Sequence, residues 1–327
     1  MILVTGGAGY IGSHTVLALR EQKRRVLVLD DLSEGHEAAL LGAQLVRGST
    51  LDTEFLARVF DEHEITAVCH FAARCYVGES TRQPELYYRN NVVGTLNLLE
   101  AMHQAGVHRI VFSSTCATYG IPNEIPISET APQEPINPYG STKLVCEGIL
   151  RDMHSAHGMD SVSLRYFNAA GADPQGRLGE HHDPETHLIP LVLSSIDTTE
   201  PIKVFGDDYP TPDGTCVRDY VHVVDIAEAH ILALKALEDG RHGAMAFNLG
   251  SEHGASVLEI IEIAQRVTGK TIPYEIAERR AGDPAFLVGN ADLIRGELGW
   301  VPRFSDTKVI VETAWQWQRT NPEGFPE

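Results

Sequence analysis

In Asn137-Pro138-Tyr139-Gly140-Ser141-Thr142-Lys143, a tyrosine and a lysine stand four residues apart. That spacing puts two side chains on one helix face, one turn apart. A phenol ionises near pH 10 and is a poor base at neutral pH, but a neighbouring ammonium favours the phenolate. A third group, the hydroxyl of Thr115 in Phe-Ser-Ser-Thr-Cys-Ala-Thr-Tyr-Gly (112–120), can bridge an alcohol and the tyrosine. Alone, the pair reads equally well as two solvated residues on a helix surface, so its surroundings must decide.

The deciding neighbour is Thr-Gly-Gly-Ala-Gly-Tyr-Ile-Gly, which sets Gly6, Gly9 and Gly12 three residues apart between the first strand and the first helix. A helix N-terminus offers free N–H groups and the positive end of a dipole, and glycines let a pyrophosphate approach the backbone. A glycine turn alone can simply be a tight turn. Here a strand precedes it, a helix follows, and Asp30 ends the second strand. A carboxylate there hydrogen-bonds an adenosine ribose and repels a 2′-phosphate, favouring NAD over NADP. A positively charged nicotinamide further favours the phenolate of Tyr139. The assembled group can then take a proton from an alcohol while the nicotinamide takes the adjacent hydride.

Later in the chain, Arg218 lies in Val-Arg-Asp-Tyr-Val-His (217–222), and Arg280 and Asp283 lie in Arg-Arg-Ala-Gly-Asp-Pro (279–284). Arginines suit a diphosphate, Asp283 can accept from a ribose, and Phe205 can stack on a base. Spacing alone leaves these roles open, because surface arginines are more often solvated. In Gly-Glu-His-His-Asp-Pro-Glu-Thr-His (179–187), His181, His182, Asp183, Glu185 and His187 cluster, but their spacing matches no closed tetrahedral pattern. No metal is expected, and the stretch reads as a substrate-side loop.

The elements that must carry these groups alternate. Strands are expected at 2–4, 25–29, 46–48, 67–70, 109–115 and 161–168, and helices at 11–22, 55–62, 86–105 and 139–157, with Gly106 near a C-cap. That alternation predicts an α/β fold, a Rossmann-type doubly wound parallel sheet. Ligands bind such sheets at the carboxyl edge, where the 109–115 strand delivers Thr115. Residues 169–190 read as a long loop, followed by a helix at 188–195 and a strand at 202–205. A strand-like start and amphipathic helix occupy 219–237, and a strand near 244–251 returns to the sheet. From about 256, helices alternate with irregular segments.

The 327 residues suit an α/β core with a smaller addition. A formal charge of −19 argues against nucleic-acid and anionic-membrane partners, which need a basic surface. The five cysteines, Cys69, Cys75, Cys116, Cys146 and Cys216, include no C-x-x-C and suggest neither a disulfide framework nor a cysteine zinc site. The opening Met-Ile-Leu-Val-Thr-Gly-Gly is a strand from its first residues, with no signal-like or membrane-spanning stretch. A cytoplasmic location is expected.

Several stretches carry a resemblance: VTGGAGYIGSH, HFAARCYVGES, YYRNNVVGTLNLLEAM, FSSTCATYG, NPYGSTK, LRYFNAAGAD, FGDDYPTPDGTCVRDYVHV and RRAGDPA. On them the chain resembles the UDP-glucose 4-epimerase family of extended short-chain dehydrogenases/reductases, over nearly its whole length. The dinucleotide motif and the Tyr–Lys pair define only the superfamily; DYPTPDGTCVRDYVHV is much more specific. The resemblance implies an NAD-binding Rossmann domain at 1–170, with returning segments around 215–250, and a smaller α/β nucleotide-sugar domain at 171–327. It implies Tyr139 as base, Thr115 beside the sugar O4, and Lys143 on the nicotinamide ribose. Cofactor contacts are implied at Gly6, Gly9, Tyr10, Ile11, Gly12, Asp30, Asp31, Ser49, Thr50, Phe71, Ala72, Ala73, Asn90 and Phe167. Substrate contacts are implied at Asn168, His187, Leu188, Phe205, Arg218, Arg280 and Asp283. The implied reaction oxidises C4 of a UDP-sugar, rotates the 4-keto sugar and returns the hydride, in a homodimer with bound NAD.

The chain departs from the family at three places. Ser49 stands where many members have an aspartate facing the adenine. Cys75 replaces a common lysine beside Arg74. Leu287 falls near the position that governs acceptance of N-acetylated sugars, and its intermediate bulk leaves that specificity open. A 4,6-dehydratase needs an added acid and base directly after the threonine, where this chain has Cys116-Ala117. A regulator that had lost catalysis need not keep Tyr139, Lys143 and Thr115 together. Epimerases of other UDP-sugars stay open as alternatives.

Overall fold

The computed structural model describes all of the chain except residues 199, 281, 282 and 327. Short apolar runs form the strands β1 (Ile2–Thr5), β2 (Val26–Asp30), β3 (Gln44–Arg47), β4 (Ala67–His70), β5 (Arg109–Thr115) and β6 (Asp160–Tyr166). Three short strands follow, β7 (Asn168–Ala170), β8 (Ile202–Phe205) and β9 (Val217–His222). The last are β10 (Ala244–Leu249), β11 (Gly254–Ser256), β12 (Tyr274–Ala277) and β13 (Phe286–Leu287).

The first six strands and β10 make one seven-stranded sheet in the order β10-β6-β5-β4-β1-β2-β3, with every neighbouring pair parallel. Parallel strands need crossovers, and the helices of those crossovers cover both faces, so β1, β2, β4 and β6 are buried throughout. Neighbours along one strand serve opposite sides. Val4 joins a core with Val16, Leu19 and Ala229, while Leu3 joins another with Leu98, Met102 and Leu150. The chain winds outward from β1 in both directions, so strand order reverses between β1 and β4. A crevice at the carboxyl ends of those strands is where such sheets bind ligands.

The sheet differs from expectation by a residue or two at most strand ends, since pairing rather than composition sets those limits. Two differences have structural causes. The helix expected over 86–105 is a helical path in three parts: Pro84–Tyr87, a π-helical turn at Tyr88–Val93, and Gly94–Gln104. The strand that opens 219–237 is β9, and it leaves the large sheet. It pairs with β7, β11 and β13, while β8 pairs with β12. β10 returns beside β6, as its apolar pattern suggests.

The helix Pro138–His157 positions the Tyr–Lys pair. Asn137 caps its start, accepting from the Gly140 N–H at 2.8 Å, and Pro138 takes the first turn. Gly158 ends it in the left-handed conformation, φ +67°. Gly140 is required for closeness: a Cβ there would stand 2.4 Å from the Ala117 carbonyl oxygen. Without one, the helix start lies against the turn that follows Thr115.

Further along the same face, Glu147 accepts from Arg165 of β6 at 2.9 and 2.6 Å and from Ser114 of β5 at 2.6 Å. Arg165 also donates to the Tyr119 hydroxyl at 2.8 Å, and Tyr119 donates to Asn248 at 2.7 Å. Glu147 and Arg165 are 2% and 4% exposed, so each charge depends on the other for solvation. Glu147→Ala leaves the guanidinium buried without its carboxylate and is expected to cost about 3–5 kcal/mol in urea unfolding. A loss under about 1 kcal/mol, the value of an exposed pair, would contradict the account.

Candidate active site

Thr115 is the last residue of β5, and its hydroxyl oxygen accepts from the Ala117 N–H at 3.1 Å. Tyr139 comes at the start of the helix that packs there. Lys143, one turn on, donates from Nζ to the Ser113 carbonyl at 2.8 Å. All three side chains are buried, which removes the reading of a solvated surface pair. Burial pushes the Tyr139 phenol well above its ordinary pKa, with Tyr166 and Cys75 adding, while the hydrogen bond with Thr115 pulls the other way. Burial also lowers the Lys143 ammonium to about 8, because desolvation disfavours its charge. Its Nζ lies 6.0 Å from the centroid of the Tyr139 ring and 4.9 Å from that of Phe112. The pocket alone therefore favours a neutral phenol and weakens the ammonium. A cationic ligand beside the tyrosine has most to contribute here.

The glycine turn fits a dinucleotide. Gly6 has φ +70°, and a Cβ there would strike the Ala72 backbone nitrogen at 2.4 Å. A Cβ on Gly12 would meet the Gly6 carbonyl oxygen at 2.2 Å, so the first helix packs onto the turn only as glycine. Gly9 differs: its Cβ would find only the Gly6 oxygen, at 3.5 Å, and the helix Tyr10–Glu21 that it precedes has no side-chain cap. That leaves an open helix start flanked by Tyr10 and Ile11, the chemistry a pyrophosphate requires. Asp30 is buried and braced, accepting from the Ala8 and Leu32 N–H groups at 2.9 Å each.

The other expected cofactor contacts ring this turn. Phe71 and Ala72 both donate backbone N–H groups to Thr5, and Ala73 follows them. Phe71 packs on His230, with ring centroids 4.5 Å apart. Asp31 is exposed and accepts from the Ser33 N–H. Ser49 and Thr50 follow Gly48, whose N–H bonds the Asp30 carbonyl at 3.0 Å. Thr50 is buried where the Gly94 backbone comes close.

In the helical path, Asn90 is an implied cofactor contact, and its buried neighbour Asn91 ties the path to the elements around it. The Asn91 side chain accepts from the Arg74 N–H at 2.8 Å and donates to the Arg74 carbonyl at 3.0 Å and the Thr142 hydroxyl at 3.1 Å. It thereby fixes the segment after Ala73 to the helix of Tyr139 and Lys143. The π-helical turn sets it facing inward, and such turns recur at functional sites. Asn90 donates to the Asn91 side chain at 3.2 Å.

On the substrate side, the structure gathers four of the expected residues. Arg218 of β9 pairs with Asp283 and also donates to the carbonyls of Val217 and Pro284 at 2.8 and 2.9 Å. The Arg280 guanidinium covers one face of the Phe205 ring, 4.0 Å from its centroid. Phe167, which precedes Asn168 at the start of β7, packs with Tyr119 and Ile127, against Cys116 and Leu287. Leu188 opens the helix Leu188–Ser194 and leans on the core of the smaller sheets. His187 precedes it, 2.9 Å from a Glu180 oxygen and 3.0 Å from one of Glu185.

A doubly wound sheet, a glycine turn at its switch point and a buried Tyr–Lys pair define a Rossmann-type dinucleotide-dependent enzyme. Residues 2–250 match the NAD dependent epimerase/dehydratase family. A UDP-glucose 4-epimerase of Halalkalibacterium halodurans is 52% identical over 326 residues, 99% of this chain and 97% of that protein. The crystal structure of UDP-glucose 4-epimerase from Brucella ovis in complex with NAD is 47% identical. It superposes with a TM-score of 0.93 over 96% of this chain and 97% of that one. A UDP-glucose 4-epimerase from Bifidobacterium longum in complex with NAD+ and UDP is 39% identical, with a TM-score of 0.93 over 99% of each chain. The chain belongs to the NAD dependent epimerase/dehydratase family.

The Asn91 ties are specific enough to test. Asn91→Ala strands both backbone groups of Arg74 and is expected to cost about 2–4 kcal/mol in urea unfolding, as buried unpaired groups do. A change within about 0.5 kcal/mol, the range of ordinary surface substitutions, would contradict this role.

Proposed function

We propose that the protein interconverts UDP-galactose and UDP-glucose as an NAD-dependent 4-epimerase. The observation that carries this reading is the burial of Tyr139, Lys143 and Thr115 together at the carboxyl edge of the sheet, beside a turn built for a dinucleotide. The curated relatives of similar length bear the same activity in their names.

Gly9, Tyr10, Ile11 and Asp30 hold NAD in this reading, with Ala72, Asn90 and Phe167 along its length and Lys143 on its nicotinamide ribose. Bound NAD supplies the acceptor for the C4 hydride and the donor that returns it to the opposite face. Tyr139 takes the proton from O4, with the Thr115 hydroxyl bridging oxygen and phenol. Lys143 holds positive charge near the phenolate and lowers its pKa against the pull of burial. Arg218 and Arg280 bind the diphosphate, Phe205 and Asp283 the uridine, and Asn168, His187 and Leu188 border the sugar. The 4-keto sugar turns over while these contacts keep the nucleotide in place, and Tyr139 returns its proton to O4.

Elimination of water, as in a 4,6-dehydratase, lacks a donor. The position after Thr115 is Cys116, whose thiol burial pushes up to about 12. The nucleotide-binding part is assigned to 1–170 with the returning stretch around 215–250, supported by β10 joining the large sheet. The smaller part, the rest of 171–327, carries β8, β12 and Asp283, which Arg218 of the returning stretch pairs with. A homodimer fits the exposed apolar Val93, Leu96 and Val145, which lie on three helical segments. Among the described residues no helix is long and apolar enough to cross a membrane, and a cytoplasmic location completes the reading.

Purified protein incubated with UDP-galactose and no added NAD is expected to form UDP-glucose from its retained cofactor. Finding no UDP-glucose with cofactor present would overturn the assignment. Tyr139→Phe is expected to lower kcat by roughly 10²–10⁴ while leaving fold and cofactor content intact, the range for losing a general base. An unchanged rate would remove Tyr139 from the chemistry.

A further inference from the structure

The stretch from Gly179 to His187 does something its spacing conceals. Glu180, His182, Glu185 and His187 bring together one potential ligand atom each, all within 4.8 Å of one another. His182 Nδ1 lies 3.5 Å from Glu180 Oε1 and 3.3 Å from Glu185 Oε2. His187 Nδ1 lies 2.9 Å from the same Glu180 oxygen and 3.0 Å from Glu185 Oε1. Two imidazole nitrogens and two carboxylates thus alternate around a small ring.

Hydrogen bonding accounts for this ring poorly. Each Nδ1 carries at most one hydrogen yet faces two carboxylates, and both nitrogens approach the same Glu180 oxygen. Glu185 Oε1 already accepts from the Thr186 and His187 N–H groups at 2.7 and 2.8 Å. A metal resolves the geometry. Donors about 2.0–2.1 Å from a tetrahedral zinc stand roughly 3.3–3.4 Å from each other, close to the four imidazole–carboxylate separations of 2.9 to 3.5 Å here. Two imidazoles with two carboxylates suit zinc and its transition-metal neighbours, whereas magnesium and calcium prefer oxygen alone.

We propose that Glu180, His182, Glu185 and His187 form a divalent transition-metal site of the kind that takes zinc, structural in role and adjoining the sugar side through His187. The surroundings indicate what it would fasten. The His182 ring stands edge-on to both Tyr10 and Tyr76, at 6.2 and 6.1 Å. The Tyr10 hydroxyl donates to the Gly171 carbonyl at 2.6 Å, at the start of the same segment. His187 ends it, just before the helix Leu188–Ser194. A metal here would fix the shape of an irregular segment and, through it, hold the His182 ring against Tyr10 and Tyr76 and set the start of that helix.

The test is zinc binding by the full chain. Protein stripped with EDTA and dialysed is titrated with zinc chloride alone, and separately with magnesium chloride. Bound metal is read by calorimetry and elemental analysis, and cobalt(II) absorbance reads the coordination geometry. About one zinc per chain, no magnesium response, a tetrahedral cobalt spectrum and a higher Tm with zinc are expected. His182→Gln and the near-isosteric Glu185→Gln are each expected to weaken zinc affinity at least about tenfold and to remove the Tm gain. Their circular dichroism shows whether either has misfolded. Absence of zinc binding, equal response to magnesium, or unchanged binding in both folded variants would overturn the proposal and leave an ion-paired network. These readouts do not involve turnover, so they stand apart from the fate of the epimerase reading.

Discussion

One face of the helix Pro138–His157 carries Tyr139, Lys143 and Glu147 at successive intervals of four, and all three are buried. An acidic, a basic and a phenolic group facing inward at this depth is an expensive arrangement unless each finds a partner. The partners come from two adjacent strands. Ser113 of β5 offers its carbonyl to Lys143, and Arg165 of β6 offers its guanidinium to Glu147. The Glu147–Arg165 pair anchors the helix, and that anchor fixes where the phenol stands relative to Thr115.

The rest of the site can be read as what this helix requires. Its first turn reaches the β5 edge because residue 140 has no side chain. Its flank is tied through Thr142 to Asn91, and through Asn91 to the segment that follows Phe71-Ala72-Ala73 beside the glycine turn. The segment beside the glycine turn and the helix of Tyr139 are thus joined by hydrogen bonds as well as by the sheet between them. Precision of that kind matters for hydride transfer, where misplacement by about an ångström costs rate severely.

Much of this was legible in the sequence because it is local. The glycine turn, Asp30 at a strand end, the Asn-Pro helix start and the four-residue Tyr–Lys spacing lie within short windows and obey periodic rules. What the sequence hid depends on contacts between distant positions. Glu147 and Arg165 look like ordinary surface charges until two elements bring them together. Asn90 and Asn91 are indistinguishable by type, and only the π-helical turn decides which faces inward. β9 has a plain strand pattern, but which sheet receives it is a tertiary matter. In residues 179–187, two histidines and two glutamates draw together through an irregular fold that follows no helical or strand period, so linear spacing does not show their closeness.

Burial raises the Tyr139 phenol and weakens the Lys143 ammonium, yet proton transfer from a sugar alcohol needs the phenolate. In the proposed mechanism the bound nicotinamide and the Lys143 ammonium beside it together make the phenolate accessible. The direct measurement is a pH titration of phenolate absorbance in NAD-bound protein, with Tyr139→Phe as the blank, comparing wild type with Lys143→Met. A Tyr139 transition that moves to clearly higher pH when Lys143 is replaced is expected. A transition at the same pH in both proteins would contradict it.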